Sequence, residues 1–220
     1  MFRVVTVGRE YASGGAAIAR KVANSLGWRL WDKSLIEAVA RHAQVDFQTA
    51  LEFDESVDSW WYRIHRGGVW SLAVAAGISP ADAQLFDRET VAALARDVIL
   101  TAAGKGNCVI VGRGADCVLR DFPGALHVFV YGSWPERVAR VRQRVGDDCD
   151  PGELLRSADR TRAAYVRRYF GRDWKDPNLH HLMISSQLGI EEAASMIVSA
   201  VKSSERDAGA WVEAASCPAR

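Results

Sequence analysis

The sequence predicts a three-layer α/β protein with a mostly parallel, five-stranded sheet. Short β-branched or aromatic runs alternate with longer stretches of helical periodicity, the pattern of βαβ units. A glycine-rich stretch, GREYASGG, joins the first of those runs to the first helix, as phosphate-binding α/β proteins require. A length of 220 residues with 49% hydrophobic side chains suits a single domain with embellishments, expected over 1–202.

Arg3–Val7 is a buried strand by composition, followed by the glycine turn. A helix then runs from about Gly15 to Leu26, with Ile18, Val22 and Leu26 at i, i+4 spacing and Gly27 as its stop. Trp28–Trp31 reads as a second strand. Lys33–Ala43 reads as a helix with Leu35, Ile36 and Val39 inward. The segment of about 45–88, with SWWYRIHRGGVW, breaks this rhythm and is expected to be a helical insert, covering an acceptor site or forming a homodimer contact. Helix Thr90–Ala103 precedes strand Cys108–Val111, and strand His127–Tyr131 leads into an arginine-rich helix near Pro135. A long helix from Glu153 to about Arg168, strand Leu182–Ser185 and a closing helix opened by Glu191 and Glu192 complete the series. The end from Ser203, rich in Ala, Ser and charge, is expected to be a mobile tail over 203–220.

The charge balance, 28 Lys+Arg against 27 Asp+Glu, provides no global field for nucleic acid or an anionic membrane, and neither is an expected partner. No run approaches the ~20 apolar residues that cross a bilayer. The opening MFRVVTVGRE lacks the apolar core of a signal peptide, and Cys108, Cys117, Cys149 and Cys217 have neither CxxC nor zinc spacing. Reduced thiols in a cytoplasmic protein are the expectation, with no metal site from these residues.

A complete P-loop reads GxxxxGK[ST]; its lysine reaches the outer phosphates and its hydroxyl holds Mg²⁺. The best superposition here puts Arg9 at the first glycine, Gly14 at the second, Gly15 at the lysine and Ala16 at the hydroxyl. Ser13, Gly14 and Gly15 are the expected phosphate cradle, with Arg9 a substitute charge. A tight strand-to-helix turn that needs glycine for its backbone is the plainer reading of the same residues.

Three blocks carry a resemblance. VVTVGREYASGGAAIARKVANSLGWRLWDKSLIEA is similar to the opening of the cytidylate kinase-like family, typified by REYGSGG, a helix and DKxLIE. CVIVGRGADCVLRDFPGALHVFVYGSWPERVARVRQR resembles that family's VGR segment, fourth strand and lid-opening helix. SADRTRAAYVRRYFGRDWKDPNLHHLMISSQLGIEEA resembles its D-x-x-R helix, last strand and S-x-L-x-I turn. The resemblance implies a P-loop-type fold, an arginine-rich lid at about 137–175, ATP and Mg²⁺ as cofactors and a nucleotide substrate as partner.

Phosphoryl transfer needs cations around the moving group and little covalent chemistry from the protein. Arg137, Arg140 and Arg144 share one helix face by spacing. The resemblance places Arg137 and Arg140 at the lid, and matches Asp159 and Arg162 to the D-x-x-R that holds an acceptor's sugar and phosphate. A solvated basic face paired with Asp147, Asp148 and Glu153 is the alternative. Arg113, at a strand's carboxyl end, is suited to clamp a phosphate or base carbonyl with Asp116 as an orienting acceptor, or to cap a helix by a salt bridge. Asp32 and Lys33 lie at another strand end, Asp32 positioning an acceptor hydroxyl or a metal-bound water, or serving as an N-cap, and Lys33 meeting the acceptor phosphate. Ala38 stands where typical cytidylate kinases carry a further acceptor-binding arginine. Trp174 and Lys175 belong to an aromatic stretch that reads either as a base-stacking surface or as a packed helix end. The leading expectation is an ATP-dependent kinase of a nucleoside monophosphate such as CMP or dCMP, or a similar small acceptor. A nucleotide-binding sensor that has lost transfer chemistry, favoured by Gly15 and Ala16, is the second.

Overall fold

The computed structural model describes residues 1–32, 88–146 and 150–207. Lys33, the Lys33–Ala43 helix, nearly all of the insert and the end of the tail lie outside the described residues. Strand β1 (Val4–Arg9) feeds helix α1 (Gly15–Leu26), then β2 (Arg29–Trp31); α2 (Arg88–Lys105), β3 (Cys108–Val111) and the short α3 (Ala115–Val118) follow. Next come β4 (Ala125–Tyr131), α4 (Trp134–Val145), α5 (Pro151–Phe170), β5 (Leu182–Ser185) and α6 (Ile190–Asp207), with short 3₁₀ turns at Pro177–Leu179 and Ser186–Leu188.

All four strand pairings are parallel and the order is β2-β3-β1-β4-β5, so the sheet is wholly rather than mostly parallel. Parallel strands are covered on both faces, which explains runs such as VVTV and CVIV that do not alternate with polar residues. On one face Val5, Val7, Val128 and Val130 pack against Ile18 and Val22 of α1 and Ile197 and Val201 of α6. On the other, Val4, Cys108 and Ile110 pack against Val98, Ile99 and Ala102 of α2 and Leu119 beyond α3. These are the three layers.

Several boundaries differ from the sequence expectation for visible reasons. β1 continues through Gly8 and Arg9 because they pair with Phe129 and Val130. The last helix runs past Ser203 to Asp207, and the Ser204 hydroxyl accepts a 3.0 Å hydrogen bond from the Phe2 amide, tying this stretch to the start of the chain. Arginines at both ends of β1 approach neighbouring turns closely. A methyl at Gly106 would lie 2.8 Å from Arg3 Nη2, and one at Gly112 only 2.0 Å from Arg9 Nη1. Both glycines have left-handed backbones, φ 69° and 71°, so arginines from the two ends of β1 lie against the two turns that flank β3.

Candidate functional site: an arginine-braced phosphate loop

The loop between β1 and α1 opens at the carboxyl ends of the strands, where open α/β sheets bind ligands. Gly14, at φ 84°, is the N-cap of α1 and gives it no side-chain hydrogen bond, and the first turn carries no acidic residue. The first amides of α1 are therefore left to an external acceptor, and the helix dipole favours an anion there. Ser13 is fully buried; its amide and hydroxyl both donate to the Glu10 carbonyl, at 3.3 and 3.0 Å, folding the loop on itself.

Three arginines from α4 and α5 hold the other side of this loop. Arg162 Nη1 donates to the Arg9 carbonyl at 3.4 Å, Arg137 Nε to the Tyr11 carbonyl at 2.7 Å and Arg140 Nη1 to the Ala12 carbonyl at 3.1 Å. With those carbonyls engaged on the arginine side, the loop keeps the polarity that an anion cradle needs. Arg137 is only 4% exposed, and its remaining nitrogens reach Glu10 Oε2 at 3.2 Å and Asp159 Oδ2. Asp159 Oδ1 accepts from the Tyr11 amide at 2.8 Å, and Glu10 also accepts from the Gly132 amide and from Lys175 Nζ.

Arg137, Arg140, Asp159 and Arg162 are thus brought together, though as braces of the loop backbone. The expected common face of Arg137, Arg140 and Arg144 is graded in depth: Arg137 is buried, Arg140 half-buried and Arg144 exposed. Arg137 does not lie on a solvated basic face, because Glu10 and Asp159 neutralise it inside the protein. Glu10, and its pairing with Lys175, are parts of this candidate site that sequence reasoning missed. The only available signal was a carboxylate placed directly after a buried strand.

Beside the loop lies a cleft lined by Gly8, Arg9, Arg113, Asp116, Arg162 and Tyr165, among others. Arg113 follows Gly112 just beyond β3, and both have left-handed backbones, φ 60° and 71°. Asp116 is buried, accepts from the Cys117 amide at 2.9 Å and faces His180 Nδ1 at 3.9 Å. Burial raises its pKa above the ordinary carboxylate value, against the opposing pull of His180. Trp174 packs edge-on against Phe129 and, with Tyr165, also lines the cleft. Asp32 sits half-buried beyond β2, at the sheet edge.

The loop suits a polyphosphate. No group of three or more His, Cys, Asp or Glu able to hold a metal occurs among the described residues, and Ala16 offers no hydroxyl. Nor is any described helix long and apolar enough to cross a membrane.

Fold and loop together define a P-loop-type α/β protein. The model of the cytidylate kinase-like family matches residues 4–188, and the chain belongs to that family. The fold resembles the crystal structure of an uncharacterized protein from Eubacterium ventriosum ATCC 27560, with TM-score 0.64, 22% identity and coverage of 92% of this chain and 99% of that one. Shikimate kinase from Bacteroides thetaiotaomicron is similar at TM-score 0.52 and 13% identity, over 90% of this chain and 98% of that one. Shikimate kinase from Acinetobacter baumannii, in complex with shikimate, is similar at TM-score 0.52 and 14% identity, over 93% and 95%. No curated protein matches the sequence.

Proposed function

We propose that this protein transfers the terminal phosphoryl group of ATP to a nucleoside monophosphate such as CMP or dCMP, or to a similar small anionic acceptor. The observation that carries the reading is the loop: uncapped amides at the start of α1 on one side, and three backbone carbonyls engaged by Arg162, Arg137 and Arg140 on the other. The adjoining cleft supplies an acceptor site with Arg113 and Arg162 in its wall. Bound ATP would supply the phosphoryl group, with Mg²⁺ carried on its phosphates.

An acceptor phosphate oxygen forms the new bond to phosphorus as the bond to the bridging oxygen of the departing ADP breaks. A phosphate dianion bears no proton on the attacking oxygen, so the protein's work is positioning and charge neutralisation. Arg113 and Arg162 would hold the acceptor; Arg137, Arg140 and Asp159 keep the donor loop in shape. Gly15 and Ala16 favour the second reading, a nucleotide-binding sensor without transfer.

The test is ADP formation from Mg-ATP over a panel of nucleoside monophosphates, with an acceptor-free blank and an Arg162→Ala control. ADP that depends on one acceptor and disappears in the control supports the kinase. ATP binding without ADP from any acceptor supports the sensor, and failure to bind ATP removes both.

A further inference from the structure

We propose that Arg9 is the cation that meets the outer phosphates of the donor, supplying from the end of β1 the charge that a complete P-loop carries as lysine at the position of Gly15. This rests on the reading of the glycine loop as an ATP site. A Cβ built on Gly15 would fall 2.7 Å from Arg9 Cβ and 3.2 Å from Arg9 Cγ. The stem of Arg9 therefore fills the space from which a lysine side chain would leave position 15. These are near-backbone atoms of Arg9, not a flexible tip that moves aside cheaply. Glycine at 15 and arginine at 9 form one steric unit.

The far end of Arg9 reaches Gly112, where a methyl would lie 2.0 Å from Nη1. The side chain thus crosses from the phosphate loop to the turn after β3 and lines the cleft. It lies between the donor loop and the proposed acceptor wall. The other cations near the loop have partners of their own: Arg137 pairs with Glu10 and Asp159, Arg140 contacts the Ala12 carbonyl and Ser186, and Lys175 pairs with Glu10. Among the described residues the Arg9 guanidinium has no hydrogen-bond or ion-pair partner, although its own carbonyl is held by Arg162. A guanidinium in the cleft wall, carried on a stem that packs against the first residue of α1 and lacking a partner among the described residues, is an arrangement that a polyphosphate on the loop completes, since charge-assisted bonds to phosphate are the strong ones.

The test measures binding of ATP, AMP and inorganic tripolyphosphate by calorimetry to the parent protein, Arg9→Gly, Arg9→Lys and the double variant Arg9→Gly/Gly15→Lys. Thermal melts monitor folding. Arg9→Gly is expected to weaken ATP and tripolyphosphate by about 10- to 100-fold, the worth of one charge-assisted contact, while AMP changes less than about 3-fold. Arg9→Lys is expected to retain most of the affinity. The double variant is expected to recover part of the loss, because removing the Arg9 side chain takes away the nearest obstruction to lysine at 15 and leaves the Val130 Cβ, 3.3 Å from a Cβ there, as a tight neighbour. ATP bound equally by the parent and a folded Arg9→Gly variant overturns the assignment of Arg9 and leaves the ATP site standing. Equal loss of AMP and ATP, or a folded double variant with no recovery, also overturns it. A parent that binds neither ATP nor tripolyphosphate overturns the site itself.

Discussion

Ala12 occupies the one loop position where a side chain and the backbone pull in opposite directions. It has φ 57°, a conformation that costs a non-glycine residue about 1–2 kcal/mol, in the place of the glycine of REYGSGG. Its methyl is buried with Val141, Leu155 and Ala158, worth about 0.8 kcal/mol, and glycine would add about 0.4–1 kcal/mol of unfolded-chain entropy. The terms nearly cancel. Urea unfolding should therefore place Ala12→Gly within about 1 kcal/mol of the parent, while Ala12→Val, β-branched in a left-handed backbone, should lose about 2 kcal/mol or more. A second residue contributes to the acid limb of stability. His127 shares a 2.8 Å hydrogen bond with Thr6 and stacks on His181; burial, with help from His181, lowers its pKa from 6.5 to about 4. The fold favours the neutral ring, so this contribution is complete above about pH 6.5 and is lost as pH falls towards 4. It is worth about 3 kcal/mol at most. Unfolding free energy measured from pH 7 to 4 should fall more steeply for the parent than for His127→Gln; equal slopes would remove His127 as the cause.

At the scale of elements, the contact that joins β1, α4 and α5 is Arg137 with Glu10, Asp159 and the Tyr11 carbonyl. Removing one member of a buried ionic group leaves the others uncompensated, which typically costs about 3–5 kcal/mol. Arg137→Ala should show a loss of this size in denaturant unfolding, and ATP binding should weaken with it because the loop loses a brace. A loss below about 1 kcal/mol would mean that solvent already screens the group. Most elements were legible because their signals are local: Gly27 stops α1, Pro135 opens α4, and Cys108–Val111 is a bare apolar run. Where the sequence misled, the cause is tertiary. Gly8 and Arg9 look like loop but pair with β4, Ser203–Asp207 look like tail but extend α6, and α3, with four residues, is too short to show a period.

For the whole molecule, the parallel class of the sheet followed from the alternation of elements, but the order β2-β3-β1-β4-β5 did not. Crossover handedness narrows such choices without fixing them. The same distinction runs through the site. Arg9, Arg113, Arg137, Arg140 and Arg162 could be picked out because phosphate chemistry calls for arginine, whereas which of them faces a ligand and which holds the backbone depends on carbonyls invisible in a sequence. Glu10 joins Lys175 across 165 positions, a pairing that no local pattern announces. The two guanidinium contacts at the ends of β1 also bear on how the protein opens. With Arg3 seated against Gly106 and Arg9 against Gly112, a slip of the central strand by one residue would strip both contacts and turn every buried side chain of the strand to the opposite layer. In deuterated water the amides of Val5 and Val7 should exchange only as fast as complete unfolding permits, while those of the edge strand β2 exchange earlier through local opening.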